Sequence, residues 1–191
     1  MIMRLPLLAI FSLALIASAD AQTAPTADEI RVYAGLHEAA AKGDVAEIEQ
    51  LVKEGERINV QDSRSRTPLH VAAYMKKHDA ARVLLKLGAN ANALEIDRYD
   101  IVTIASVAND LEMLKLALDG GASARNITSR YDGTALIAAA HLGHAEVVQV
   151  TVPALGASVV QVTTGPWGVS VTARRRSART VRKKDAPGSQ P

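Results

Sequence analysis

The chain has 191 residues, 22 Lys/Arg against 20 Asp/Glu, a formal net charge of +2 and no cysteine. That length suits one domain with tails, and the missing cysteines exclude disulfide scaffolds, thiol nucleophiles, thiolate zinc sites and iron–sulfur clusters. Six aromatic residues (Phe11, Tyr33, Tyr74, Tyr99, Tyr131 and Trp167) argue against a stacking platform for single-stranded nucleic acid.

The charges are segregated. Residues 22–150 hold 14 Lys/Arg and 18 Asp/Glu, net −4, whereas residues 151–191 hold 7 basic residues and 1 acid, net +6. The pI of about 9.0 therefore describes neither part.

In chain order, Arg4 supplies a positive start and Leu5–Ala19 an apolar run of 15 residues, followed by Ala19-Asp20-Ala21. This layout predicts a secretory signal over residues 1–21, with Gln22 the first mature residue. The run is shorter than the about 20 residues a membrane span needs, so no span is expected in the mature chain. The expected compartment is outside the cytoplasm, periplasmic in a bacterium or otherwise secreted. Thr26-Ala27-Asp28-Glu29 has capping-box spacing and predicts a long first helix running to about Lys42.

A period of 33 residues then organises the body. Gly55, Gly88 and Gly121 keep that step, as do Leu36/Leu69/Val102, Ala39/Ala72/Ala105 and Val52/Leu85/Leu118; His37 and His70 share it with Thr103. Within each unit the apolar spacing is helical. Leu69, Ala72 and Ala73 form one narrow face, and Ala80, Val83, Leu84 and Leu87 another. The recurrent glycines are expected as helix C-terminal caps. Polar, turn-rich stretches follow them: ERINVQDSRSRT, ANANALEIDRYD and ASARNITSRYDG. Neither helix of a unit can bury its apolar face alone, so the units must stack.

These residues carry a resemblance. RTPLHVAAYMKKHDAARVLLKLGANANA (Arg66–Ala93) resembles an ankyrin repeat, with TPLH and GANANA intact. Gly35–Asp62 is similar to a degenerate first repeat, Asp100–Arg125 matches more weakly, and Asp132–Val150 matches most of a fourth repeat, one residue late. The resemblance implies an all-α helix-turn-helix solenoid of about four repeats over residues 22–150, divided near 34–66, 67–99, 100–132 and a broken 133–155. An irregular C-terminal tail is expected after it. It further implies that His70, and His37 with it, bond backbone between neighbouring repeats, and that His144 orders an inter-helix loop. His78 reads as solvated.

The fourth repeat loses its pattern where Thr151 replaces the leucine seen at Leu84 and Pro153 blocks further helix. With no capping helix after it, exposure of Leu136, Ala139, Val147 and Val148 is expected. Val159–Thr163 and Val169–Thr172 have strand texture around Gly165-Pro166-Trp167. Three readings of residues 151–191 stay open: a basic arm for an acidic partner, a disordered extension, or an out-of-frame product.

No nucleophile motif, phosphate loop or independent carboxylate pair is present, so no catalytic residue, metal, cofactor or small-molecule substrate is expected. His141 and His144 with Glu146 fall short of a ligand set. The resemblance implies instead a non-catalytic module that binds another protein through loop tips and a concave helix face. It places candidate contacts at Arg57, Ser63, Arg64 and Arg66 in the first loop. Glu95, Ile96, Asp97, Arg98 and Tyr99 follow in the second, and Asn126, Thr128, Arg130 and Tyr131 in the third. Tyr74, Met75, Val107, His141 and Leu142 are the matching helix positions. Tyr99, Tyr131 and Arg98 carry most weight, since Tyr and Arg are enriched at binding hot spots. The alternative is a nucleic-acid or anionic-surface binder acting through Arg174–Lys184. Asn126-Ile127-Thr128 also fits an N-glycosylation sequon.

Overall fold

A computed structural model describes residues 23–128, 134–154, 159–165 and 168–174. The expected signal at residues 1–21 and the most basic part of the tail, 175–191, lie outside the described residues. The array is all-α, as the resemblance implies. Short α1 (Ala27–Arg31) precedes four helix pairs: α2 (Gly35–Lys42) with α3 (Val45–Lys53), α4 (Pro68–Tyr74) with α5 (His78–Lys86), α6 (Ile101–Val107) with α7 (Leu111–Asp119), and α8 (Ala135–His141) with α9 (Ala145–Ala154). The first helices stack α2–α4–α6–α8 and the second helices α3–α5–α7–α9, giving two parallel layers. The periodic columns form the seam. Leu36, Leu69 and Val102 are buried, as are Ala39, Ala72 and Ala105, whose small side chains let successive helices approach.

The recurrent glycines end second helices as expected. Gly55, Gly88 and Gly121 have φ of 97, 96 and 88°. At Gly88 the left-handed turn lets Ala89 N–H donate to Leu84 O (2.9 Å) and Gly88 N–H to Leu85 O (3.1 Å), satisfying carbonyls the helix leaves open. The turn inside each pair repeats this device at Gly43, Lys76, Asn109 and Gly143, with φ of 80, 52, 50 and 74°. Lys76 and Asn109 thus hold a left-handed conformation that costs an L-residue about 1–2 kcal/mol.

The Thr26–Glu29 capping box is present, with Glu29 N–H donating to Thr26 Oγ1 and Thr26 N–H to Glu29 Oε2. The predicted long helix to Lys42 is not. The chain breaks after Arg31 and restarts at Gly35, whose φ is 56°. Glu56 causes the restart: its Oε1 accepts Leu36 N–H at 3.0 Å, and its carboxylate fills the space that a Cβ on Gly35 would need.

The end of the array also corrects the sequence expectation. α9 runs to Ala154, one residue past Pro153. Thr151 occupies its leucine position fully buried because Oγ1 donates to Val147 O at 2.7 Å, so the hydroxyl leaves no unmet bond in the core. In place of a wholly irregular tail, β1 (Val159–Gly165) and β2 (Gly168–Arg174) pair antiparallel, Val159 opposite Arg174. They cover both predicted strand segments. β2 lies against α8 and β1 against α9, where a further repeat would stack. Ala139, Val147 and Val148, expected to be exposed, are accordingly buried, and Leu136 is half-buried.

Candidate functional site

Three first helices, α4, α6 and α8, start at a polar cap (Thr67, Asp100 and Thr134), and polar residues near the first-helix starts also join neighbouring repeats. Thr67 caps α4, and His70 completes that box: Nδ1 accepts from Thr67 N–H (3.1 Å) while Nε2–H donates to Ala93 O in the next loop (3.1 Å). That pattern uses the neutral imidazole, and burial holds His70 below the usual histidine range. His37 Nε2–H donates to Arg66 O (2.8 Å) and His144 Nδ1–H to Ser106 O (2.8 Å), so all three histidines tie one repeat to another. In the third repeat Asp100 and Thr103 take the places of Thr67 and His70. Asp100 Oδ1 accepts Thr103 N–H at 2.8 Å, and Thr103 Oγ1 lies 2.6 Å from Thr128 Oγ1.

The two loops that follow share one internal turn. In the first, Asp62 Oδ1 accepts the amides of Arg64 and Arg66, both at 2.8 Å; in the second, Glu95 Oε1 accepts those of Asp97 and Tyr99, both at 3.0 Å. The loops are joined by Ile96 N–H to Arg64 O (2.9 Å) and by Arg64 Nη2 to Asp97 Oδ2 (2.9 Å). Beneath the first, Arg66 is wholly buried, donating Nε to Asp62 Oδ2 and Nη2 to Glu29 Oε1, both at 2.7 Å. Tyr33 OH also donates to Asp62 Oδ2 (2.9 Å). Burial by itself would raise the Asp62 carboxyl, but the Arg66 bonds, with those from Tyr33 and Arg64, hold it below the usual range. Burial does raise the Glu95 carboxyl and the Tyr74 phenol.

These contacts sort the expected contact residues. Arg66, Asp97 and Tyr99 are buried within the array, and so are Glu95 and Thr128; this corrects their placement on an open face, because their polar atoms are drawn inward to backbone amides and ion pairs. Arg64, Tyr74, Met75 and Val107 are half-buried, whereas Arg57, Ser63, Ile96, Arg98, His141 and Leu142 are exposed. Arg130 and Tyr131 lie outside the described residues. Asn126 is half-buried; its Nδ2, the acceptor atom of the expected sequon, donates to Asn92 Oδ1 (3.0 Å) and Asp100 Oδ2 (2.9 Å).

Two features escaped the sequence reading. His78 is not solvated: its Nε2 faces both Asp110 oxygens (3.0 and 2.8 Å), linking the start of α5 to the residue that caps α7. A shared surface row was also missed. Leu94 and Ile127, one repeat apart, are exposed on neighbouring loops with Ile96 beside them. The period places Gln61 in the first member of that column, which hid the apolar trend. A groove of about 630 Å³ lined by Arg57, Ile58, Asn59, Val60 and Gln61 adjoins the first loop. Among the described residues, no three His, Asp or Glu side chains form a metal-ligating group, and no helix is long and apolar enough to cross a membrane.

Comparison with known proteins agrees with this architecture. The family described as "Ankyrin repeats (3 copies)" matches residues 13–95 and 36–121, together more than half of the chain. An ankyrin repeat protein of Acanthamoeba polyphaga mimivirus is 30% identical over 104 residues, 53% of this chain and 13% of that protein. An ankyrin repeat domain-containing protein of Stachybotrys chartarum is 34% identical over 93 residues, 49% of this chain and 5% of that one. Protein phosphatase 1 regulatory subunit 27 of Homo sapiens is 41% identical over 64 residues, 34% of this chain and 42% of that subunit. The chain thus spans well under two thirds of each relative. It belongs to the ankyrin-repeat family, whose arrays are generally protein–protein interaction modules and typically non-catalytic.

Proposed function

We propose that this protein is an exported interaction module that binds another protein through its loop tips and the adjoining first-helix face. The observation that carries the reading is the row Leu94, Ile96 and Ile127, which is 39, 57 and 56% exposed on adjacent loops where Glu95, Asp97 and Thr128 are turned inward. Large apolar side chains exposed together on neighbouring loops favour a partner surface over water. Leu142 and His141 extend the same kind of surface to α8. A relative named as a phosphatase regulatory subunit supports a role exercised by contact. The charged start and apolar run of residues 1–21 support export.

The test is affinity capture from the exported fraction with the full chain, an Ile96→Asp/Ile127→Asp variant, and a chain lacking residues 175–191. The proposal expects one enriched protein, lost from the double variant and retained without the tail. Capture that ignores the loop substitutions, or that disappears with the tail and collapses in salt, contradicts it and favours an anionic partner of the basic segment. Absence of the chain from the exported fraction contradicts export alone.

A further inference from the structure

A ladder of asparagines links the loops, and its first rung is open. Asn90 N–H donates to Asn59 Oδ1 and Ser123 N–H to Asn92 Oδ1, both at 2.8 Å, so each loop takes an acceptor from the repeat before it. The period of 33 puts Arg57 in the column of Asn90 and Ser123. Among the described residues no repeat precedes the first pair, and the Arg57 N–H has no acceptor. The guanidinium of the same residue is exposed and also without a partner. We infer that the groove lined by Arg57, Ile58, Asn59, Val60 and Gln61 is a docking site for an acidic side chain, Asp or Glu, on a loop of a partner protein. Two further donors stand there. Asn59 Nδ2 and the Gln61 side-chain amide belong to exposed residues and meet no acceptor among the described residues.

An open backbone N–H is satisfied by water or by an acceptor that displaces it, as Asn59 and Asn92 do inside the array. An asparagine would fill the rung. Arg57, however, puts a cation where Asn90 and Ser123 are neutral, and a carboxylate answers the amide and the guanidinium together through charge-assisted bonds. No acid lines the groove to compete for it. Of the carboxylates next in sequence, Glu56 is engaged by Leu36 N–H and Glu54 by Gln50 Nε2. Ile58 and Val60 are half-buried and offer apolar contact beside the acid. A second copy stacked end to end does not supply the acceptor. The hairpin β1–β2 stands where a further repeat would stack, and Arg125 already replaces asparagine in the column of Asn59 and Asn92. A nucleic-acid phosphate would meet one cation, with no aromatic ring among the lining residues for a base to stack on.

A phage-displayed random dodecapeptide library tests the site, selected on the full chain after counter-selection on the Arg57→Gln variant, which removes peptides held by residues 175–191. Expected are peptides that share an Asp or Glu, bind Arg57→Gln about tenfold more weakly, and lose as much when that acid is replaced by alanine, as removal of a hydrogen bond to a charged group does. In nitrogen-15 spectra of the full chain, such a peptide should move the Arg57 amide resonance further than those of Asn90 and Ser123, whose bonds are already made. Far-ultraviolet circular dichroism of Arg57→Gln should match the parent, because the exposed guanidinium has no partner to lose. The Ile96→Asp/Ile127→Asp variant should hold the peptides as the parent does, which separates the groove from the apolar row. Peptides without an acid overturn the inference, as do an acid replaced without loss, an Arg57 amide that does not move, or displacement by an oligothymidylate. So do binding lost from the Ile96→Asp/Ile127→Asp variant and a library in which no peptide survives the counter-selection.

Discussion

The first loop (residues 56–66) and the second (89–99) turn through the same left-handed residue, Ser65 at φ 60° and Arg98 at φ 65°. Each is organised by an acid that accepts amides two and four residues ahead. They differ in what lies beneath. The first is bolted to the N-terminal segment by Arg66, whose guanidinium meets Glu29 and Asp62 with no exposure to solvent. The second has Tyr99 in the Arg66 column, and its cation, Arg98, has moved one position earlier and outward. One backbone thus carries two sets of residues: inward charges that hold repeats together, and outward ones to which the proposed function assigns the partner. A repeat family can change its binding surface without changing its fold because these two sets of positions alternate along the loop.

The largest expected effect breaks the buried half. Arg66→Met leaves Asp62 buried with one cation fewer and should destabilise the array by about 3–5 kcal/mol in urea unfolding, as one-sided loss of a buried ion pair does. Arg98→Met, one loop on, should cost no more than about 0.5 kcal/mol, as surface substitutions do. Equal losses would mean that the two loops are not divided in this way.

A pH scan sharpens the same division. His70 is held neutral by burial and by its donor–acceptor pattern, so the unfolded chain takes up a proton near the ordinary value of 6.5 while the folded chain resists it. Acid therefore favours the unfolded state: the His70 contribution is complete above pH 6.5 and is lost as pH falls below it. His70→Gln should lower stability at pH 7.5 by about 1–3 kcal/mol, the cost of unmet buried bonds, and flatten the slope between pH 7 and 5.5. Thermal unfolding at several pH values reads both effects. A smaller effect concerns the turn column shared by all four pairs. Lys76→Gly should stabilise by up to about 1 kcal/mol, because glycine occupies φ of 52° without the strain lysine bears there.

Much of the fold was legible because its signals are local or periodic. The Thr26–Glu29 box, the left-handed glycines at 55, 88 and 121, and the Leu36/Leu69/Val102 seam each follow from spacing. The site was less legible because burial of a polar loop residue depends on partners distant in sequence. Arg66 finds Glu29 across 37 residues and His78 finds Asp110 across 32. The Asp62/Arg66 spacing of four was the one nearby hint that Arg66 turns inward. At the end of the array, Thr151 and Pro153 look like breaks in composition, yet a hydroxyl bonded four residues back and a proline in the last turn both fit a helix.

The central claim is that the inward residues of the loops hold the fold while the outward ones bind. Its most direct test combines capture and melting on one protein, Ile96→Asp/Ile127→Asp. The account predicts loss of the captured partner with a melting temperature within about 2 °C of the parent, the shift expected for about 0.5 kcal/mol in an array of this size. Undiminished capture, or a collapse of the melting temperature with the binding, would contradict it.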